Sequence, residues 1–328
     1  MHSLITRFKR SSEAYLTAVI LFFVVILSVS TQDFLTLNNW VDLIESYSVT
    51  AILAIGLFVV LVTGGIDISF AATASVSQYV AAYAATRLNM PPALVLLVGA
   101  AVGTILGCIN AILIDRLRAT AIIITISTMS VYFALLMYFT GGKSIYGLPG
   151  WWSDAMVLFE MTTGPDQSVR LTLPIVVMAL VAALTAFIMN RTSLGRQLYA
   201  MGGNPEAARR VGISISKMQW FAYGYLGLLA GIAGLLQAHR VGESVPNAMI
   251  GSELNVVAAA VLGGASLLGG IGSVSGVVLG ILLLAILRNG LNLLGVSPYF
   301  FQIVIGVILL ASTGITGLSL RRRRVAEA

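Results

Sequence analysis

The sequence predicts an all-α polytopic membrane protein with about ten transmembrane helices, and three observations carry that expectation. Of its 328 residues, 58% are apolar and only 10% charged, against roughly 45–50% and about 25% in soluble domains. The mean hydropathy is +0.95. Apolar stretches about 20 residues long, the length that crosses a bilayer, recur at 14–30, 43–63, 68–88, 93–114, 119–140, 171–189, 218–239, 250–269, 273–294 and 299–318. Ten crossings take about 200 residues. That leaves one transmembrane domain over 14–320, short tails at 1–13 and 321–328, and no room for a large soluble domain.

The first stretch, Ala14 to Ser30, follows Arg7, Lys9 and Arg10 as a signal peptide's apolar segment would. No small-x-small cleavage site follows it, and nine further stretches do, so it reads as a retained first helix. Alternating the loops from an inner N-terminus gathers 14 of the 19 Lys and Arg on one side: the N-terminal group, Arg116, Arg118, Arg191, Arg196, Arg209, Arg210, Lys217 and Arg321 to Arg324. The opposite loops hold Asp33, Asp154, Glu160, Asp166 and Glu243. The positive-inside rule then places both termini in the cytoplasm and makes the basic tail a topology anchor, not a nucleic-acid arm.

Two loops are long. The outer one, 141–170, carries Trp151-Trp152 and is expected to lie along the membrane surface as an aromatic belt. The inner one, 190–217, is the most polar and basic stretch of the chain and the natural place for a partner. The fourth stretch carries Gly99, Gly103 and Gly107, and the ninth Gly272, Gly276 and Gly280. Small residues at every fourth position let helix backbones approach. Their recurrence at matching places suggests that spans 2–5 and 7–10 are repeats, inverted because one set starts on an even span and the other on an odd one.

No catalytic constellation is evident. Cys108 is the single cysteine, so neither a disulfide framework nor a thiolate cluster is expected. His2 is terminal and His239 reads as an interfacial residue; a Ser-His-Asp triad has no nucleophile elbow and a metal site has no ligand set. Gly142-Lys143-Ser144 lacks the upstream glycine of a phosphate loop, since Met137 stands there.

Three polar islands remain. In Gly64-Gly65-Ile66-Asp67-Ile68-Ser69, an acid at the membrane edge is either a functional group or a cap on the third span. In the inner loop, Asn204 suits an N-cap, Pro205 the first helical position, Glu206 the positive end of the dipole, Arg209 and Arg210 its far end, and Gly212 a left-handed stop. Such a capped helix is a rigid grip for a partner, or else a plain surface helix. The third island joins Glu253 and Asn255 to a glycine-rich turn, Gly263-Gly264 through Gly269-Gly270-Ile271-Gly272-Ser273, implying a short eighth helix. Asn110, Thr125, Thr128, Asn289 and Asn292 add uncharged polar groups within spans, suited to a neutral hydroxylated solute or to interhelical hydrogen bonds.

Taken together these islands resemble the permease subunit of a bacterial sugar ABC importer of the ribose type. The resemblance runs from about 45 to 315 and is carried by Gly64 to Ser69, by Gly195-Arg196-Gln197-Leu198-Tyr199-Ala200-Met201-Gly202-Gly203-Asn204 with Glu206-Ala207-Ala208, and by Glu253-Leu254, Gly269 to Ser273 and Asn289-Gly290-Leu291-Asn292. Phe70-Ala71 and Ser127 depart from the family pattern. The resemblance implies a fold like the cobalamin-importer permeases, and a permease paired with a second permease, homodimer or paralogue. It also implies a cytoplasmic ATPase that binds ATP and Mg, and a periplasmic sugar-binding protein. The loop 190–217 would then be the coupling loop, with Gly202, Gly203, Asn204, Pro205, Glu206, Ala207, Ala208, Arg209 and Gly212 facing the ATPase. Chemistry assigns Asp67, Ser69, Asn110, Thr125, Thr128, Glu253, Asn289 and Asn292 to the solute pathway. Tyr138 to Pro149 also looks like permeases that import a quorum-signalling furanosyl compound. A branched-chain amino-acid permease, which belongs to the same broad superfamily, and a passive channel are the other readings.

Overall fold

The computed structural model describes residues 12–154, 157–164, 167–297, 299–304, 306, 307 and 310. The basic residues of both tails, Asp166 and most of the tenth expected stretch, 299–318, lie outside them. Nine of the ten stretches contain a helix described from end to end: α1 Ser12–Ser30, α2 Leu37–Val62, α3 Phe70–Thr86, α4 Pro92–Leu117, α5 Ala121–Thr140, α7 Leu173–Arg191, α10 Ile215–Val241, α11 Glu253–Leu262 and α12 Val274–Leu293. The described part of the tenth, 299–304, is helical as well. Between them lie the short helices α6 (Gly150–Ser153), α8 (Ser193–Gly203) and α9 (Pro205–Arg210), and the strands β1 (Val157–Gly164) and β2 (Gln167–Thr172). Seven of these helices are long and apolar enough to cross a membrane; α11 falls short with ten residues, and α3 has 17.

Burial separates the helices into a centre and a shell. From Ile52 to Val62, α2 is enclosed on every side, and α10 is almost as deeply set. A helix that is apolar all round belongs in such a centre. The outer helices α1, α4, α5 and α7 leave Phe22, Leu97, Ile123 and Phe187 about 60% exposed, as befits side chains whose solvent is lipid. The centre is α2 packed on α10. Around it, α10 packs on α3 and α4, while α2 packs on α11 and α12.

Both glycine triplets become helix seams, with one adjustment. Gly103 and Gly107 meet the backbone of Tyr223, Gly227 and Gly231 in α10, where any Cβ would collide. Gly276 and Gly280 meet Gly263 and Ala259 in the same way. Gly272 lies in the turn before α12 (φ +141) and not in the helix, because Ser273 caps the helix by accepting the Gly276 N–H at 3.0 Å.

The outer loop differs from the expected surface belt. The strands β1 and β2 pair antiparallel, with Glu160 bonded to Arg170 (Nε to Oε1, 2.9 Å), so the chain is not purely helical. Trp152 is 3% exposed. Its Nε1–H donates to the Leu235 carbonyl at 3.0 Å, and its ring stacks on Trp151 with centroids 5.6 Å apart. Nor is His239 interfacial: it is buried, with Nδ1 donating to the Trp152 carbonyl. The pair is 87 residues apart in sequence, so nothing local announces it.

Loops that alternate in sequence meet at two faces. One face gathers the turns 64–69, 202–203 and 269–270. There Ser216 Oγ donates to Asp115 at 2.8 Å, and Ser273 and Ser275 both donate to Glu13 Oε1. At the other face Ile145 bridges to Ser244, and Gln78 Nε2 donates to the Val245 carbonyl at 2.6 Å.

Candidate functional site

At the face bearing Arg116, Arg118, Arg191, Arg196, Arg209 and Arg210, the expected capped helix is present as α9. Asn204 Oδ1 accepts the Ala207 N–H at 3.0 Å, Pro205 opens the helix, and Arg209 and Arg210 close it. Gly212 takes φ +87 while the Ile213 N–H reaches back to the Ala208 carbonyl at 3.0 Å, the left-handed stop that a residue without Cβ tolerates best. Asn204, Pro205, Glu206, Ala207, Arg209 and Gly212 are exposed, and Ala208 is buried as the anchor. Glu206 and Arg210 approach to 3.8 Å with both side chains more than 80% exposed.

The helix before it, α8, is seated on glycines from two distant turns. Gly64, Gly202-Gly203 and Gly269-Gly270 meet backbone to backbone. The Gly270 N–H donates to the Val62 carbonyl at 2.8 Å, and a Cβ at Gly202 would strike that same carbonyl. Tyr199 Oη donates to the Gly272 carbonyl at 2.8 Å. The inner loop therefore rests on the turn after α2 and the turn after α11 at once.

Beside this junction the first five residues assigned to the pathway form one buried network. Asp67 Oδ1 accepts from both the N–H and the Oγ of Ser69 at 2.7 Å, and Oδ2 accepts from Asn110 Nδ2 at 3.2 Å. Asn110 Nδ2 also donates to Ser69 Oγ at 2.7 Å, and Tyr132 Oη lies 3.4 Å from Asn110 Oδ1. Thr125 Oγ1 accepts the Ile68 N–H and donates to the Ile66 carbonyl, both at 3.3 Å, and Thr128 Oγ1 donates to the Thr125 carbonyl at 3.2 Å. Burial pushes the Asp67 carboxyl above the usual carboxylate range, with the Ser69 and Asn110 bonds pulling against it. The network pins the start of α3 to α4 and α5.

The remaining three lie toward the other face. Glu253 opens α11, half-buried, with Oε1 shielded from water and unpartnered among the described residues. Asn289 bonds Asn39 reciprocally at 2.8 and 3.2 Å. Asn289 and Asn292 line a cavity of about 450 Å³ that shares Asp42, Tyr47, Asn255 and Arg288 with a larger one of about 660 Å³. Together they form a vestibule between α2, α10, α11 and α12, which also contains Glu45, Gln237 and Arg240. Sequence reading passed over these charged residues, although Arg288 stands within the ninth stretch, where an ionisable side chain is a functional signal in its own right.

The family model described as "Branched-chain amino acid transport system / permease component" matches residues 39–313. The ribose import permease protein RbsC of Haemophilus influenzae is 32% identical over 308 residues, covering 94% of this chain and 93% of the relative. RbsC of Escherichia coli is 33% identical over 291 residues, 89% of each chain. The galactose/methyl galactoside import permease protein MglC of Salmonella typhimurium is 32% identical over 327 residues, 95% of this chain and 96% of the relative. No solved structure matches the chain significantly. The chain belongs to this family of transport permeases.

Proposed function

We propose that this member of the permease family is the transmembrane subunit of an ATP-driven importer that carries a monosaccharide, a pentose, hexose or related sugar, across the bacterial inner membrane. The sugar names of the relatives support the solute class. They weigh against the amino-acid reading that the family description carries. The single observation that carries the coupling is α9, an exposed, doubly capped helix held on the glycine junction. In this reading a cytoplasmic ATPase, holding ATP and Mg, grips Gly202 to Arg209 and Gly212, and this chain hydrolyses nothing. A periplasmic sugar-binding protein delivers solute at the opposite face, and a second permease completes the complex.

The arginines around α9 support a cytoplasmic position for that face and for both termini. A ten-helix fold of the cobalamin-importer type, with spans 2–5 and 7–10 inverted, is supported by the two glycine seams and by the central pairing of α2 with α10. Solute would enter past Glu253, Asn289 and Asn292. The Asp67, Ser69, Asn110, Thr125 and Thr128 network would hold the inner end shut.

The test is uptake beside ATP hydrolysis in the assembled importer. Glu206→Ala should lose uptake while the protein still inserts and assembles, because an exposed ion pair such as Glu206–Arg210 contributes no more than about 1 kcal/mol to folding. Proline cannot take φ +87, so Gly212→Pro should lose uptake by breaking the stop of α9. Unchanged uptake in both variants would remove the coupling assignment.

A further inference from the structure

We propose that the vestibule between α2, α10, α11 and α12 is itself a binding site for one uncharged, polyhydroxylated molecule of monosaccharide size. The proposal rests on the import reading above and locates its solute inside a single permease subunit. The larger lobe, about 660 Å³, falls in the range of about 300–1,000 Å³ that holds small-molecule ligands.

Its charges balance. Asp42 and Glu45 from α2 face Arg240 from α10 and Arg288 from α12. Both arginines are held to the wall: Arg240 Nη1–H donates to the Ser46 carbonyl at 2.8 Å, and the Arg288 guanidinium lies 5.6 Å from the centre of the Phe301 ring. Two carboxylates against two guanidinium groups leave the wall with no net charge to draw in an anion or a cation. What it offers a neutral solute is both hydrogen-bonding senses at once. The carboxylates accept, the guanidinium groups donate, and the amides of Gln237 and Asn255 do both. Neither amide is bonded to another described residue. The floor is apolar, built from Val49, Ala259, Ile281 and Leu284, a surface for the C–H face of a sugar ring. Charged side chains at membrane depth are costly and mark solute paths.

The test uses the full-length permease in nanodiscs, with Cys108→Ala removing the background thiol and Ser252→Cys placing a reporter on the wall. A polar maleimide is added with and without a panel of pentoses and hexoses that includes D-ribose and D-galactose, and with L-leucine and gluconate as zwitterion and anion. At twice its dissociation constant, the bound sugar should slow labelling about threefold, and leucine and gluconate should leave the rate unchanged. Ala248→Cys, on the same wall, repeats the measurement if Ser252→Cys fails to fold. In cells carrying the whole importer, Gln237→Leu should raise the sugar concentration for half-maximal uptake about tenfold, the loss of roughly 1.4 kcal/mol of binding.

If wild-type cells import a sugar with ATP, yet no sugar protects the reporter and Gln237→Leu imports normally, the vestibule assignment is overturned and the import reading stands. Protection by leucine and by no sugar would overturn both.

Discussion

Asp67 is 2% exposed, and each group that meets its carboxylate is a donor: the Ser69 N–H, the Ser69 hydroxyl and the Asn110 amide. An apolar replacement strands those donors, whereas an amide keeps one acceptor for Ser69. Leaving a buried donor unpaired costs about 1–3 kcal/mol, so Asp67→Ala should lower the melting temperature well below that of Asp67→Asn. Thermal unfolding of the two purified variants in the same detergent measures this, and equal melting temperatures would deny the network its structural role. The sequence already posed cap and functional acid as alternatives for this residue. The cap-like bond to Ser69 was legible because it is local, two residues away. The bond to Asn110, 43 residues distant, depends on how α4 meets the turn, which no spacing encodes.

At the scale of elements, the same division between local and distant decides what could be read. The caps of α9 follow from residues three to five positions apart and appear as expected, Asn204 at one end and Gly212 at the other. The pairing of β1 with β2 and the burial of Trp152 against α10 do not follow from any periodicity in the outer loop. The vestibule escaped for a related reason, since its carboxylates come from α2 and its guanidinium groups from α10 and α12, about 200 residues or more further along the chain. The glycine junction gives this scale its sharpest test. A methyl at Gly202 would strike the Val62 carbonyl and lie 2.6 Å from the Gly270 N–H that donates to it, whereas a methyl at Gly203 meets nothing within 4 Å. Overpacking of that kind costs about 1–3 kcal/mol. Gly202→Ala should therefore lower both stability and uptake, and Gly203→Ala should leave the melting temperature near wild type. Melting curves of the pair decide whether the inner loop is seated on the junction, since two equal curves would mean that the backbone gives way without cost.

For the whole molecule the decisive property is sidedness. Hydrogen bonds tie Glu13, the 269–275 turn, Asp115 and Ser216 to one face, where the arginines of 116–118 and 191–210 also lie. Tyr79, Lys143, Ile145, Ser244 and Val245 are tied together at the other. Positively charged loops are retained in the cytoplasm during insertion, so the face with α9 should be inside and the mouth of the vestibule outside. On that orientation the proposed vestibule would open to the outside and α9 to the side from which an ATPase would reach it. Two single-cysteine variants in a Cys108→Ala background check the arrangement, Lys143→Cys and Glu206→Cys. In intact spheroplasts a membrane-impermeant maleimide should label the first and spare the second, and permeabilisation should expose both. Labelling of position 206 alone in intact spheroplasts would invert the orientation and place the mouth of the vestibule in the cytoplasm. Labelling of both would mean that 143 and 206 share a face, which the single membrane-length helix between them, α7, does not allow.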